Sequence, residues 1–157
     1  MADRLRAAFI AASVAWLALL VAAPLVASRA HASALGTLLV ASVYGVGSLV
    51  CHQLAERSYR LWDTQMPVCA RCAGIYVGAA VSAVCAVLSS KGFARRDLAL
   101  RHARFALVLA VTPTLLTLVY EWATGSMPAH AIRALAGIPI GAVVAWLVVA
   151  AADNQVN

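Results

Sequence analysis

Three cysteines, a histidine and an arginine stand in two short motifs: Cys51-His52, then sixteen residues, then Cys69-Ala70-Arg71-Cys72-Ala73-Gly74. Thiolate and imidazole donors suit zinc, for which a Cys-x-x-Cys at a turn plus a second pair of ligands is the common arrangement. Cys51, Cys69 and Cys72 supply three ligands, and His52, Asp63 or His130 compete for the fourth. Neighbouring residues leave a helix about 100° apart, so Cys51 and His52 reach one ion only if the helix ends there. The charged stretch from Glu56 to Asp63 gives it a place to end. Iron is the second metal such thiolates would take.

Two other chemistries use the same residues. If Cys69 and Cys72 open a helix, the positive end of its dipole and Arg71 stabilise a thiolate, which points to thiol exchange. A Cys-x-x-Cys at the entrance of a membrane helix looks like the arrangement of quinone-coupled disulfide oxidases, with Cys51 as a resolving thiol. Three cysteines cannot pair completely, and a plain structural pair is the third reading. Cys85, between Val84 and Ala86, reads as a small packed hydrophobe.

Arg71, Glu121 and Arg133 are charges in or beside apolar segments, where a charge is costly and by default functional. Snorkelling to the interface is the plainer alternative for residues near helix ends. Together with Arg57, the two arginines form a candidate anion site for an anionic lipid or small solute, since guanidinium forks match carboxylate and phosphate. Glu121 would orient an arginine or exchange a proton, and His52 is the other candidate acid or base.

The elements that must position these residues are membrane helices. Hydrophobic residues make up 64% of the 157, and charged residues 11%, against roughly 25% in an average soluble domain. Apolar runs near residues 7–28, 35–54, 68–90, 105–124 and 131–151 approach the ~20 residues that cross a bilayer core. The expectation is a single all-α domain over 1–157, a polytopic bundle of about five transmembrane helices. Continuous runs argue against a β-barrel, whose strands alternate. The first run follows Arg4 and Arg6 and precedes small residues at Ala30 to Ala34, as a signal peptide would, but it is too long for a signal core of ~7–15 residues. A retained helix is expected.

The net charge of +6 belongs to membrane topology and not to nucleic-acid binding, because the cations sit in short loops beside apolar runs. The cluster Lys91, Arg95, Arg96, Arg101 and Arg104 favours a cytoplasmic loop. With five crossings this puts the N-terminus outside, although Arg4 and Arg6 oppose it and the two orientations balance at six cations each.

Ala73-Gly74-Ile75-Tyr76-Val77-Gly78-Ala79 recurs as Ala136-Gly137-Ile138-Pro139-Ile140-Gly141-Ala142, each copy preceded by Met-Pro and an arginine. The frame suggests repeated helical hairpins, 35–90 and 105–151, as parallel halves of the kind found in transporters, which makes small-solute transport a further functional alternative. Small residues at every fourth position let helix backbones approach closely, so the third and fifth helices should pack through these stripes.

Cys-His-Gln-x-x-x-Glu-Arg-Ser followed by Pro-Val-Cys-Ala-Arg-Cys-x-Gly-Ile-Tyr-x-Gly, over residues 51–78, resembles the signature of small prokaryotic integral membrane proteins classed as domain of unknown function 2085. Glu121, Arg133, Gly137 and Gly141 continue the likeness, which covers about two-thirds of the chain. Ala73 stands where the family commonly has threonine and Glu121 where it has aspartate. The resemblance implies a multi-pass protein of a prokaryotic inner or plasma membrane and brings no activity with it.

Overall fold

The computed structural model describes residues 2–29, 33–88 and 102–154. They form five helices: α1 (Ala2–Ala27), α2 (Ala34–Val50), α3 (Ala70–Leu88), α4 (Ala103–Thr124) and α5 (His130–Asn154). Each occupies one of the five apolar runs. Three are long and apolar enough to cross a membrane, over Arg4–Ala27, Ala103–Thr124 and His130–Ala152, while α2 and the apolar stretch Ala70–Ala86 of α3 are shorter. The cationic cluster between Lys91 and Arg101 lies outside the described residues.

Local signals set the boundaries. Ser33 caps α2, its hydroxyl accepting from the Gly36 N–H at 3.2 Å. Gly125, at φ 64°, ends α4 and returns its N–H to the Glu121 carbonyl at 3.0 Å, the left-handed stop that glycine permits. Between α2 and α3 the chain makes a short 3-10 turn (Ala55–Arg57) and an antiparallel hairpin of β1 (Arg60–Leu61) and β2 (Thr64–Gln65). The two turn residues, Trp62 and Asp63, have φ of 50° and 59°, the sign that matches the twist of a two-residue hairpin.

The tightest seam joins α3 to α5. A Cβ on Gly74 would stand 1.9 Å from the Ala134 carbonyl oxygen and one on Gly78 2.1 Å from that of Ile138. Reciprocally, Gly137 faces Arg71 O at 2.3 Å and Gly141 faces Ile75 O at 1.8 Å. Residue numbers rise together along the seam, so the helices are parallel, and the two copies of the frame exchange equivalent contacts about a local two-fold. Glycine is required at all four positions because only bare backbone fits. The packing expected of the small-residue stripes is found, between these two helices.

The other directions follow from single contacts. Arg6 Nη2 donates to Ala86 O at 3.3 Å, and the Trp16 and Tyr76 rings meet edge-on at 6.0 Å, so α1 runs antiparallel to α3. Thr114 Oγ1 donates to Ala136 O at 2.8 Å and Arg133 meets Glu121, so α4 runs antiparallel to α5. The end of α2 lies where α3 begins, with Gly47 against Pro67 O.

These directions correct one expectation. In five alternating crossings α1 and α3 would run the same way, and here they oppose. Because α1 ends and α3 begins at one end of the bundle, and only six residues join Ala27 to Ala34, too short a stretch to return along a bundle of this length, α2 enters and leaves at that same end. The start of α1, the end of α3, the start of α4 and the end of α5 share the opposite end. The core beneath α2 is built from Leu20, Ala23, Val43, Met66, Val68 and Ala73. Consequently α2 packs mainly on α1, whereas α4 packs on α5, and the two proposed hairpins differ in this respect.

Candidate functional site

Cys51 follows the last residue of α2, Cys69 precedes the first of α3, and Cys72 lies one turn in. Their three sulfur atoms lie within 4.8 Å of one another, and among the described residues no histidine or carboxylate joins the group. All three thiols are free and half-buried. The Cys69 N–H donates to Cys51 Sγ at 3.2 Å, tying the two segments together. The Cys69 thiol is pulled down to about 5, first by the hydrogen bond from the Cys72 thiol, then by the Cys72 and Arg71 backbone N–H groups and the Cys51 thiol, with burial opposing. The neighbouring thiol contributes most, and the N–H groups at the entrance of α3 add to it.

The helix does end at Cys51, as joint ligation by Cys51 and His52 requires. Cys51 is extended, however, at φ −147° and ψ 137°, and successive side chains of an extended chain point to opposite faces. His52 is therefore exposed and outside the group. Asp63 is exposed in the hairpin turn, and His130 stacks on Tyr59 at 5.4 Å, so neither supplies the fourth ligand. Cys85 is exposed on α3 and is not a packed core residue.

Sequence reasoning missed the brace that holds the thiols. Gln53 Nε2 donates to Tyr44 O at 2.8 Å and to Pro67 O at 2.7 Å, spanning the end of α2 and the approach to α3. Gln65 Nε2 donates back to Gln53 O, and the Tyr44 hydroxyl donates to Gln65 O. Gln53 holds φ at 49°, a left-handed conformation that a glutamine adopts only where its surroundings fix it. Its place two residues after Cys51 was the one available hint.

Beside the thiols lies a charged cluster. Glu121, whose side chain is 9% exposed, is met by Arg71 Nη2 at 3.2 Å, by Arg133 Nε at 3.3 Å and by Arg57 Nη2 at 3.9 Å. Arg71 also donates to Thr117 Oγ1 at 3.1 Å, and Arg133 Nη1 approaches Met127 Sδ at 3.2 Å. The structure thus gathers Arg57, Arg71, Arg133 and Glu121 although Arg57 and Arg133 lie 76 positions apart in the chain. Arg133 is fully buried, so it does not snorkel.

A family profile described as a predicted membrane protein, DUF2085, matches residues 51–147, from Cys51 into α5. The chain belongs to this family. An uncharacterised protein of Methanocaldococcus jannaschii is 48% identical over 42 residues, a stretch covering 27% of each chain, so the chain spans about a quarter of that relative's length in the match. No solved structure matches. The matched range contains Cys51-His52-Gln53 and Cys69-Ala70-Arg71-Cys72.

Proposed function

We propose that this is a multi-pass protein of the prokaryotic cell membrane whose Cys51, Cys69 and Cys72 thiolates hold a metal ion, zinc before iron, next to a pocket where Arg57, Arg71 and Arg133 hold an anionic lipid or small solute. The observation that carries the metal reading is the approach of three free sulfurs to within 4.8 Å. Zinc with thiolate bonds of ~2.3 Å sets its sulfurs about 3.8 Å apart, so small side-chain movements suffice. Three protein ligands leave one position open, the pattern of catalytic and not of closed structural zinc. A bound ion would supply a Lewis-acid charge there. The chain itself holds the donors: Gln53 and Gln65 fix the two segments, and the Cys69 N–H directs Cys51.

The helix directions support an orientation. If α1, α3, α4 and α5 cross while α2 enters and leaves at one face, both ends of the chain and the α3–α4 connection share a side. Seven of the twelve cations then gather there: Arg4, Arg6, Lys91, Arg95, Arg96, Arg101 and Arg104. Of the other five, Arg57, Arg71 and Arg133 pair with Glu121. The tie that five crossings leave is broken, and the cation-rich side is cytoplasmic. The thiols and Glu121 face the opposite side, and the N-terminus is inside.

The depressed Cys69 thiol favours a second reading, quinone-linked thiol–disulfide exchange through Cys69 and Cys72. Metal and thiol content of one purified sample separate the two. About one equivalent of zinc or iron is expected, lost in Cys51→Ser, Cys69→Ser and Cys72→Ser and kept in Cys85→Ala, because a hydroxyl is a poor substitute for a soft ligand. Metal-free protein with an oxidised Cys69–Cys72 pair would transfer the assignment to exchange.

A further inference from the structure

Three guanidinium groups share one carboxylate. Arginine does not shed its proton in proteins, so with Glu121 ionised the cluster of Arg57, Arg71, Arg133 and Glu121 carries an excess of two positive charges. Buried charge is costly unless it is paired and hydrogen-bonded. The side chains of Arg133 and Arg71 are 1% and 14% exposed, so solvent does not complete their shells.

The thiols do not supply the missing charge. Arg71 reaches Cys69 through its backbone N–H, while its guanidinium turns to Thr117 and Glu121. Nor are the donors satisfied. The buried Nε atoms of Arg57, Arg71 and Arg133 have no hydrogen-bond partner; that of Arg133 lies close to Glu121 Oε1 but off the hydrogen-bond line. Among the described residues, the other acceptor for Arg133 is the Met127 thioether, a weak one.

We propose that Arg57, Arg71 and Arg133 bind a doubly charged tetrahedral oxyanion of the phosphomonoester type, with Glu121 setting the net charge of the site at plus two. This rests on the anion-site part of the proposed function and names its ligand class. A dianion neutralises the excess, whereas a carboxylate leaves one charge over. A tetrahedral group offers oxygens in three directions, and guanidinium forks match phosphate oxygens. Arg57 is the movable arm: it sits on the 3-10 turn, its side chain is 40% exposed, and at 3.9 Å it holds Glu121 least closely. Free phosphate and a phosphomonoester lipid headgroup share this chemistry.

The test is calorimetric titration of the full-length protein in detergent with inorganic phosphate, at about pH 8 where a phosphomonoester is a dianion. Saturable binding at least ~10-fold tighter than acetate is expected, about 1.4 kcal/mol at 25 °C. Arg57→Ala should weaken it ~10-fold or more with unchanged helicity, and Arg133→Lys should weaken it because the fork is lost. Flotation with vesicles containing phosphatidate, against vesicles of phosphatidylglycerol, separates the sources. Selective capture of phosphatidate, competed by phosphate, assigns the headgroup, and phosphate binding without it assigns the free solute. Acetate binding as tight as phosphate overturns the dianion class and leaves the anion site standing. Absence of binding by any of these anions to folded protein overturns the site as well, while metal content, read on the same sample, judges the thiol site separately.

Discussion

The two copies of the Ala-Gly-Ile frame make one seam yet differ in what flanks it. In register with the glycines, the positions of Cys69, just before α3, and Cys72, within it, correspond to Ile132 and Leu135 in α5, which are 53% and 65% exposed. The α3 flank is covered by α1 and by the segment that carries Cys51, Gln53 and the hairpin, so its side chains are half-buried and face thiols and amides. Among the described residues no such cover lies over Ile132 and Leu135, where apolar residues suffice. The seam is therefore packing, and the chemistry arises where further chain closes over one side of it. The arginines straddle the difference, since Arg71 and Arg133 reach one carboxylate from either copy.

Breaking the seam should have the largest effect, because both flanks depend on it. At Gly141 even a methyl group would stand 1.8 Å from the Ile75 carbonyl, and backbone cannot yield as a side-chain tip can. Gly141→Val is expected to cost at least the ~1–3 kcal/mol of an overpacked core, and to lose metal and charged cluster together. Thermal unfolding in detergent checks it. Unchanged stability would mean the helices do not meet there. Gly45, with nothing within 4 Å, is the control, and Gly45→Ala should be tolerated.

The next effect tests whether both flanks open at one membrane face. In a cysteine-free variant, single cysteines at Ala55 and Ser126 should label from outside intact cells, and one at Ala103 only after permeabilisation. A tag at the N-terminus should be protected with Ala103. A tag accessible with Ala55 would restore five crossings and leave the packing of α1 against α3 unexplained.

How much of this was legible beforehand depended on whether a feature is local. The glycine spacing announced the seam because a close backbone approach leaves a glycine at each contact, and cysteine spacing announced the thiols. Arg71, Arg133 and Glu121 were legible as costly charges in or beside apolar segments. The path of α2 was not, because hydropathy reads length and polarity but not direction, and α2 is as apolar as a span. His52 was over-read, since its orientation follows from the extended backbone at Cys51. Gln53 was under-read, because its role lies in carbonyls of Tyr44 and Pro67 that no side-chain pattern displays.

The smallest effect concerns protons. In metal-free protein the Cys69 thiol, held down to about 5, should remain alkylatable as pH falls past 7 and lose reactivity only near 5, whereas an ordinary thiol fades below about 8.5. The same shift makes stability depend on pH: its contribution is full above the unfolded value of about 8.5 and is lost as pH falls through the folded one. An alkylation profile of Cys69 with its midpoint near 8.5 would remove the hydrogen-bond account of the α3 entrance.

X-ray absorption at the edge of the copurified metal tests the central claim most directly. A shell of three sulfur scatterers at ~2.3 Å with one lighter neighbour is the predicted result. A shell of nitrogen and oxygen alone would contradict it.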